Sequence, residues 1–240
     1  MKLEVKKLPI FCLTCETTTI GTKREHIIQE FSCMNNGNGV EFVMPITEMN
    51  NERIPKNKSG ASGFIRMIEK GLLLQIPGEQ FIPFLMIEDD VSVGQIPDTI
   101  DIPFNTDILY TGISCCSMTH DSFHYQNYYE SVDGYPDVVR IQHMLASHGT
   151  LICSPLGASA LQRTMMETWF SEQPWDVPMA YIQPYYNVYA VRQPIVYQNS
   201  QYGGDESCTR IEFNGQENPL PTEYIRCDFA TLFVANKNLL

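Results

Sequence analysis

Three carboxylates stand side by side at Glu88-Asp89-Asp90, directly after the run Phe81-Ile82-Pro83-Phe84-Leu85-Met86-Ile87. Adjacent acids repel one another unless a cation neutralises them. Oxygen-only ligands suit a hard divalent ion, Mn²⁺ or Mg²⁺. The preceding run has few polar atoms and reads as a buried, central strand. In open α/β sheets, ligands gather at the carboxyl ends of such strands. The competing reading is a solvated acidic turn. The abrupt switch from apolar residues to acids speaks for a site.

Other chemistry-bearing residues carry weaker patterns. Cys12-x-x-Cys15 has the spacing of a redox pair or half a zinc site, but no second such pair supplies the missing ligands. In a strand the two thiols would face opposite ways. The histidines form no HExxH pattern, and His143 and His148 read as structural, with completion of a metal shell by one of them as the alternative. The chain shows no phosphate-binding P-loop, no GxGxxG after the first strand and no GxSxG elbow. Tyr181, Tyr185, Tyr186 and Tyr189 cluster in a stretch suited to packing, with stacking on sugar rings as the functional alternative.

The elements that must position these groups follow from hydrophobic periodicity. Residues 8–13 read as a first buried strand, 22–31 as a helix with Ile27, Ile28 and Phe31 on one face, and 40–46 as a second strand. Residues 50–58 read as a polar loop. Residues 59–75 read as a helix capped by Ser59 or Ser62, with Phe64, Ile68 and Leu72 four apart. Strands follow at 81–87, 107–114, 148–153 and 188–196. Ser154-Pro155 opens a helix running to about Phe170, with Ser as cap and Pro in the first turn. Short apolar runs alternating with helices imply an α/β sheet. Residues from Asp205 onward read as irregular.

The bulk composition sets limits on function. The 240 residues are 43% apolar and 18% charged, which is globular and large enough for one α/β domain. A net charge of −12 opposes binding to nucleic acid or anionic membranes. A phosphate-bearing ligand would need a bridging cation. No apolar stretch is long enough to span a membrane. No apolar signal core follows the N-terminal charges, so the expected location is cytoplasmic, unsecreted. The eight cysteines are then expected as buried free thiols.

The order of these pieces resembles GT-A fold glycosyltransferases, most closely the family-25-type sugar transferases and the enzymes encoded by chloroviruses. The residues that carry it are Leu13-Thr14-Cys15-Glu16-Thr17-Thr18 ending the first strand, Lys23 and Arg24 on the next helix, and Ser59-Gly60-Ala61-Ser62-Gly63 before the acidic strand. Glu88-Asp89-Asp90, Gly149 to Pro155 before a helix, and Trp175-Asp176 after it complete the set. The match covers roughly residues 8–198. It departs from the family-25 pattern after the first strand, where Cys15-Glu16-Thr17-Thr18-Thr19 replaces an Arg-rich start.

The resemblance implies one GT-A (Rossmann-like) domain over 1–240, with a mixed, mostly parallel sheet flanked by helices. Its nucleotide-binding part spans about 1–115, its acceptor part about 116–204, and a C-terminal extension covers 205–240. It implies transfer of a sugar from a nucleoside diphosphate sugar, UDP being the nucleotide, to a glycan or glycoprotein acceptor with Mn²⁺ or Mg²⁺. If the chain is viral, the setting is the host-cell cytoplasm. Asp90 would hold the metal, with Asp89 as a second ligand, and Glu88 would lie near the ribose or sugar. Thr14, Glu16 and Thr17 would meet base and ribose, and Arg24 and Arg66 base or phosphate. The helix start at Ser59 to Ser62 would offer free N–H groups. Asp176 would be the general base, or would orient the acceptor in a retaining enzyme. The residues leave other classes open: a non-catalytic carbohydrate- or nucleotide-binding module, a metal-dependent nucleotide phosphohydrolase, or a structural capsid-associated protein.

Overall fold

The computed structural model describes residues 1–16, 22–114, 116–119, 122–124, 128–171, 173–202, 211–212 and 223–224. An eight-stranded sheet carries the fold. Its strands are β1 (Ile10–Leu13), β2 (Glu41–Val43), β3 (Phe84–Glu88), β4 (Ile108–Tyr110), β5 (Tyr128–Ser131), β6 (Val138–Gln142), β7 (Gly149–Ile152) and β8 (Val188–Val191). Their spatial order is β5-β6-β8-β4-β7-β3-β1-β2. The chain is thus α/β with a mixed sheet, as the alternating pattern predicts.

The expected predominance of parallel pairing does not hold. The pairs β1/β2, β1/β3 and β4/β8 are parallel. The pairs β3/β7, β4/β7, β6/β8 and β5/β6 are antiparallel. The reason is that β6 and β7 run against the other strands, and β7 is inserted between β3 and β4. That insertion matters for function. It brings the amino end of β7 to the same sheet edge as the carboxyl ends of β1, β3 and β4.

Side-chain alternation divides the sheet into two cores. Phe11, Leu13, Phe84, Met86, Ile108, Tyr110 and Ile152 point to one face. Helix α2 (Lys56–Leu73) and helix α3 (Pro155–Phe170) cover that face, with the short α4 (Asp176–Ile182) beside them. Ile10, Cys12, Leu85, Ile87, Leu109 and Leu151 point to the other face, where Ile27 and Phe31 of helix α1 (Lys23–Glu30) and its C-cap pack. Phe84, Leu85, Met86 and Ile87 are each at most 1% exposed. Each such side chain stabilises the fold by roughly 1.5–3 kcal/mol through burial, so β3 is firmly anchored.

Helix boundaries follow the expected chemistry at one site and depart from it at another. Ser154 caps α3 as read, its Oγ accepting from the Gly157 N–H at 3.0 Å, with Pro155 in the first turn. Helix α2 starts at Lys56 behind Pro55, not at Ser59. The N–H of Ser59 donates to the Pro55 carbonyl at 2.9 Å. The Ser59 to Ser62 segment therefore lies inside the helix and is not a start with free N–H groups. The first turn of α2 and a two-strand ribbon, Glu48–Met49 with Glu52–Arg53, together replace most of the expected loop. Asn50 and Asn51 make its turn at positive φ, a conformation that asparagine tolerates well.

The remaining differences concern exposure and length. Ile28 is 45% and Leu72 36% exposed, so each apolar stripe is narrower than its spacing suggests. The last strand stops at Val191, and Val196–Gln198 pairs separately with Val91–Val93. Cys12, Cys116 and Cys153 are buried free thiols, while Cys15 and Cys33 are free and exposed. Among the described residues, no helix is long and apolar enough to cross a membrane. Beyond Asp205, only Ile211–Glu212 paired with Glu223–Tyr224 is described.

Candidate functional site

Parallel register builds the first part of the site. Leu13 of β1 lies opposite Glu88 of β3, so Thr14 comes beside Asp89. The Thr14 hydroxyl, 1% exposed, donates to Asp89 Oδ2 at 2.6 Å. Its N–H is taken by the Val43 carbonyl. Lys23, at the first turn of α1, donates from Nζ to Asp89 Oδ1 at 3.1 Å. Both oxygens of Asp89 are therefore partnered.

Antiparallel register builds the second part. Gly149 of β7 lies opposite Ile87, which brings Ser147 to Glu88. The Ser147 hydroxyl donates to Glu88 Oε1 at 2.6 Å, and Trp175 Nε1 donates to Ser147 Oγ at 3.1 Å. Because β7 runs against β3, α3 returns to the acidic edge and delivers Trp175-Asp176 there. Gly60 of α2 admits the indole: a Cβ at that position would lie 2.4 Å from the Trp175 ring.

Asp90 closes the triplet. Its Oδ1 is buried and has no hydrogen-bond partner among the described residues. Its backbone carbonyl accepts from the Asn199 N–H at 2.7 Å. Asn199 Nδ2 also donates to Ser92 Oγ at 2.8 Å. The acidic turn is thus clamped by the Val196–Gln198 ribbon. A buried carboxylate oxygen without a partner costs about 1–3 kcal/mol or more, and a cation would remove that cost.

The electrostatics reflect this crowding. Burial, then the Asp90 charge, pushes Glu88 up to about 8, against the Ser147 hydrogen bond; Asp176 and Asp89 add to the rise. Burial also raises Asp90, with Lys23 opposing it and Asp89 adding. Burial raises Asp176 to about 6, opposed by its own N–H and that of Val177. Burial works against the Lys23 ammonium, but Asp89, Asp90 and Glu16 outweigh it and leave its pKa above the ordinary value. His148, next to Ser147, is 4% exposed and held neutral by burial, down to about 4.

The sequence-predicted residues fall into three groups. Thr14, Glu88, Asp89, Asp90 and Asp176 converge on one edge of the sheet. Glu16 and Arg24 form a neighbouring pair. The Arg24 N–H donates to Glu16 Oε2 at 3.4 Å, its Nη1 donates to the Glu16 carbonyl, and its guanidinium lies 4.3 Å over the Phe42 ring. Ser62 and Arg66 serve the segment after β2. Ser62 Oγ accepts from the Ile46 N–H at 2.8 Å and donates to the Ser59 carbonyl, and the exposed Arg66 donates to the Met44 carbonyl at 2.8 Å. Thr17 lies outside the described residues.

Sequence reasoning missed the roles of Ser147, Lys23 and Lys56, whose charge also acts on Asp90. Among the described residues, no three carboxylate, thiolate or imidazole groups converge as a ready-made metal cage. Compared with known proteins, the chain matches no family model, and no curated protein matches it.

The raised Glu88 pKa has a definite sign for stability. Its contribution is fully present below about pH 4.5, where the carboxyl is protonated in folded and unfolded chains alike. It is lost as pH rises to about 8, where the folded chain must ionise a desolvated acid. Glu88→Gln keeps an acceptor for Ser147 and removes that ionisation. The metal-free variant should melt several degrees above the parent at pH 8, on the order of 2 kcal/mol, with the gap closing near pH 4.5. Melting curves across this range check it; a gap that does not change with pH contradicts the assignment.

Proposed function

We propose that this chain is a metal-dependent glycosyltransferase of the GT-A kind. It moves a sugar from a nucleoside diphosphate sugar, with UDP as nucleotide, to a glycan or glycoprotein acceptor. The observation that carries the reading is the buried, unpartnered Asp90 Oδ1 at the carboxyl end of β3, beside Asp89 and on the edge that also receives Asp176. The donor set is all oxygen, which suits Mn²⁺ or Mg²⁺. Asp90 and Asp89 would hold the ion, and Asp90 has the oxygen to spare.

Held by Asp90 and Asp89, a divalent ion would neutralise the charge that grows on the leaving diphosphate. The chain's own residues supply the rest. Thr14 fixes Asp89 in place. Ser147, backed by the Trp175 indole, fixes Glu88. Asp176, raised to about 6, is ionised in most molecules at neutral pH yet more basic than a solvated aspartate. That suits it to accept the acceptor hydroxyl's proton. Glu16, Arg24 and the Phe42 ring, adjoining Thr14, would receive the nucleotide.

Two substitutions test this reading. Asp90→Ala should abolish metal-dependent donor binding, measured by calorimetry, while the circular dichroism spectrum stays native. Unchanged donor affinity would remove the metal-site assignment. Asp176→Asn should leave donor binding intact and lower transfer to acceptor by about 10²-fold or more. A transfer rate equal to that of the parent would exclude Asp176 as base.

A further inference from the structure

Lys23 and Arg24 open helix α1, at the end where outward-pointing N–H groups make positive charge unfavourable. An acid is the usual choice at that position. Glu25 supplies one in this first turn, but the two residues before it are cations: Lys23 donates to the Asp89 carboxylate, and the Arg24 guanidinium donates to the Glu16 backbone carbonyl. The Lys23 contact reaches into the acidic centre. Nζ lies 3.1 Å from Asp89 Oδ1, with the two side chains 31% and 15% exposed. Lys23 is also the strongest of the groups that lower the Asp90 pKa.

An ammonium is a poor filling for this site. It carries one positive charge against three adjacent acids. Among the described residues its hydrogen bond goes to Asp89, which Thr14 already supports from the other oxygen. Asp90 Oδ1 stays buried without a partner. A divalent ion, which takes several oxygen ligands, would satisfy both aspartates at once. For such an ion to use Asp89 Oδ1, the ammonium has to give it up.

Resting on the metal-site reading above, we infer that Lys23 is a tethered counter-cation. It occupies the acidic centre in the absence of a divalent ion and is exchanged for one on loading. The exchange holds down the affinity for the bare metal. Thr14 keeps Asp89 oriented whether or not Lys23 remains.

The test is a Mn²⁺ titration of the donor-free protein, followed by calorimetry. The variants are Lys23→Gln, Lys23→Arg, which keeps the charge, and Lys7→Gln, which removes an equal charge from an exposed site paired with Glu4. Thermal melts confirm that each is folded. Lys23→Gln should bind Mn²⁺ about tenfold more tightly than the parent, while Lys23→Arg and Lys7→Gln bind as the parent does. Equal or weaker binding by Lys23→Gln overturns the inference and leaves the metal site standing. Tightening by Lys7→Gln to the same degree also overturns it, since general charge would then be the cause. Absence of Mn²⁺ binding in every form overturns the inference together with the metal-site reading.

Discussion

Desolvation of carboxylates at the end of a buried strand is the constraint around which this structure is arranged. Phe84 to Ile87 are packed on both faces of the sheet, and the chain then delivers Glu88, Asp89 and Asp90 to the edge of that packing. The burial that anchors the strand also strips water from the acids. The penalty for an ionised group in such surroundings reaches several kcal/mol. The neighbouring structure offsets it piece by piece. Thr14 and Lys23 take Asp89, Ser147 takes Glu88, and Asn199 ties down the backbone of Asp90. Among the described residues, Asp90 Oδ1 stays buried without a hydrogen-bond partner, and the proposed cation site rests on that oxygen.

The topology follows from the same requirement. A wholly parallel sheet would have placed the amino end of β7 far from the acids. Running β7 backward between β3 and β4 sets Ser147 against Glu88 and makes α3 climb back to the acidic edge. Trp175 then reaches over to Ser147, and Gly60 leaves the space for its ring. Asp176 arrives as the next residue. Residues distant in sequence are thereby brought to one place by strand direction alone.

Much of this was legible in the sequence. Short apolar runs marked β1, β3 and β7, and the switch to three acids marked the candidate site. Ser154-Pro155 marked the start of α3 because capping chemistry is local. Pro55 was the corresponding signal for α2 and was outweighed by the serines that follow it. The direction of β7 was not legible, since burial on both faces produces the same apolar run in either direction. The contacts of Ser147 and Lys23 were not legible because their partners are 59 and 66 residues away. Lys23 and Arg24 at a helix start did break a local rule, and such breaks tend to mark functional positions.

The most direct test of the central claim is a thermal-shift panel of UDP-, GDP-, CMP- and dTDP-linked sugars, each with and without Mn²⁺. A ligand at about 100 times its dissociation constant adds about 2.7 kcal/mol of stability, a clear rise in midpoint. A rise with one nucleotide class that requires Mn²⁺ is the predicted result. No rise with any donor in the presence of Mn²⁺ would contradict the account, leaving the acids of β3 as a structural turn.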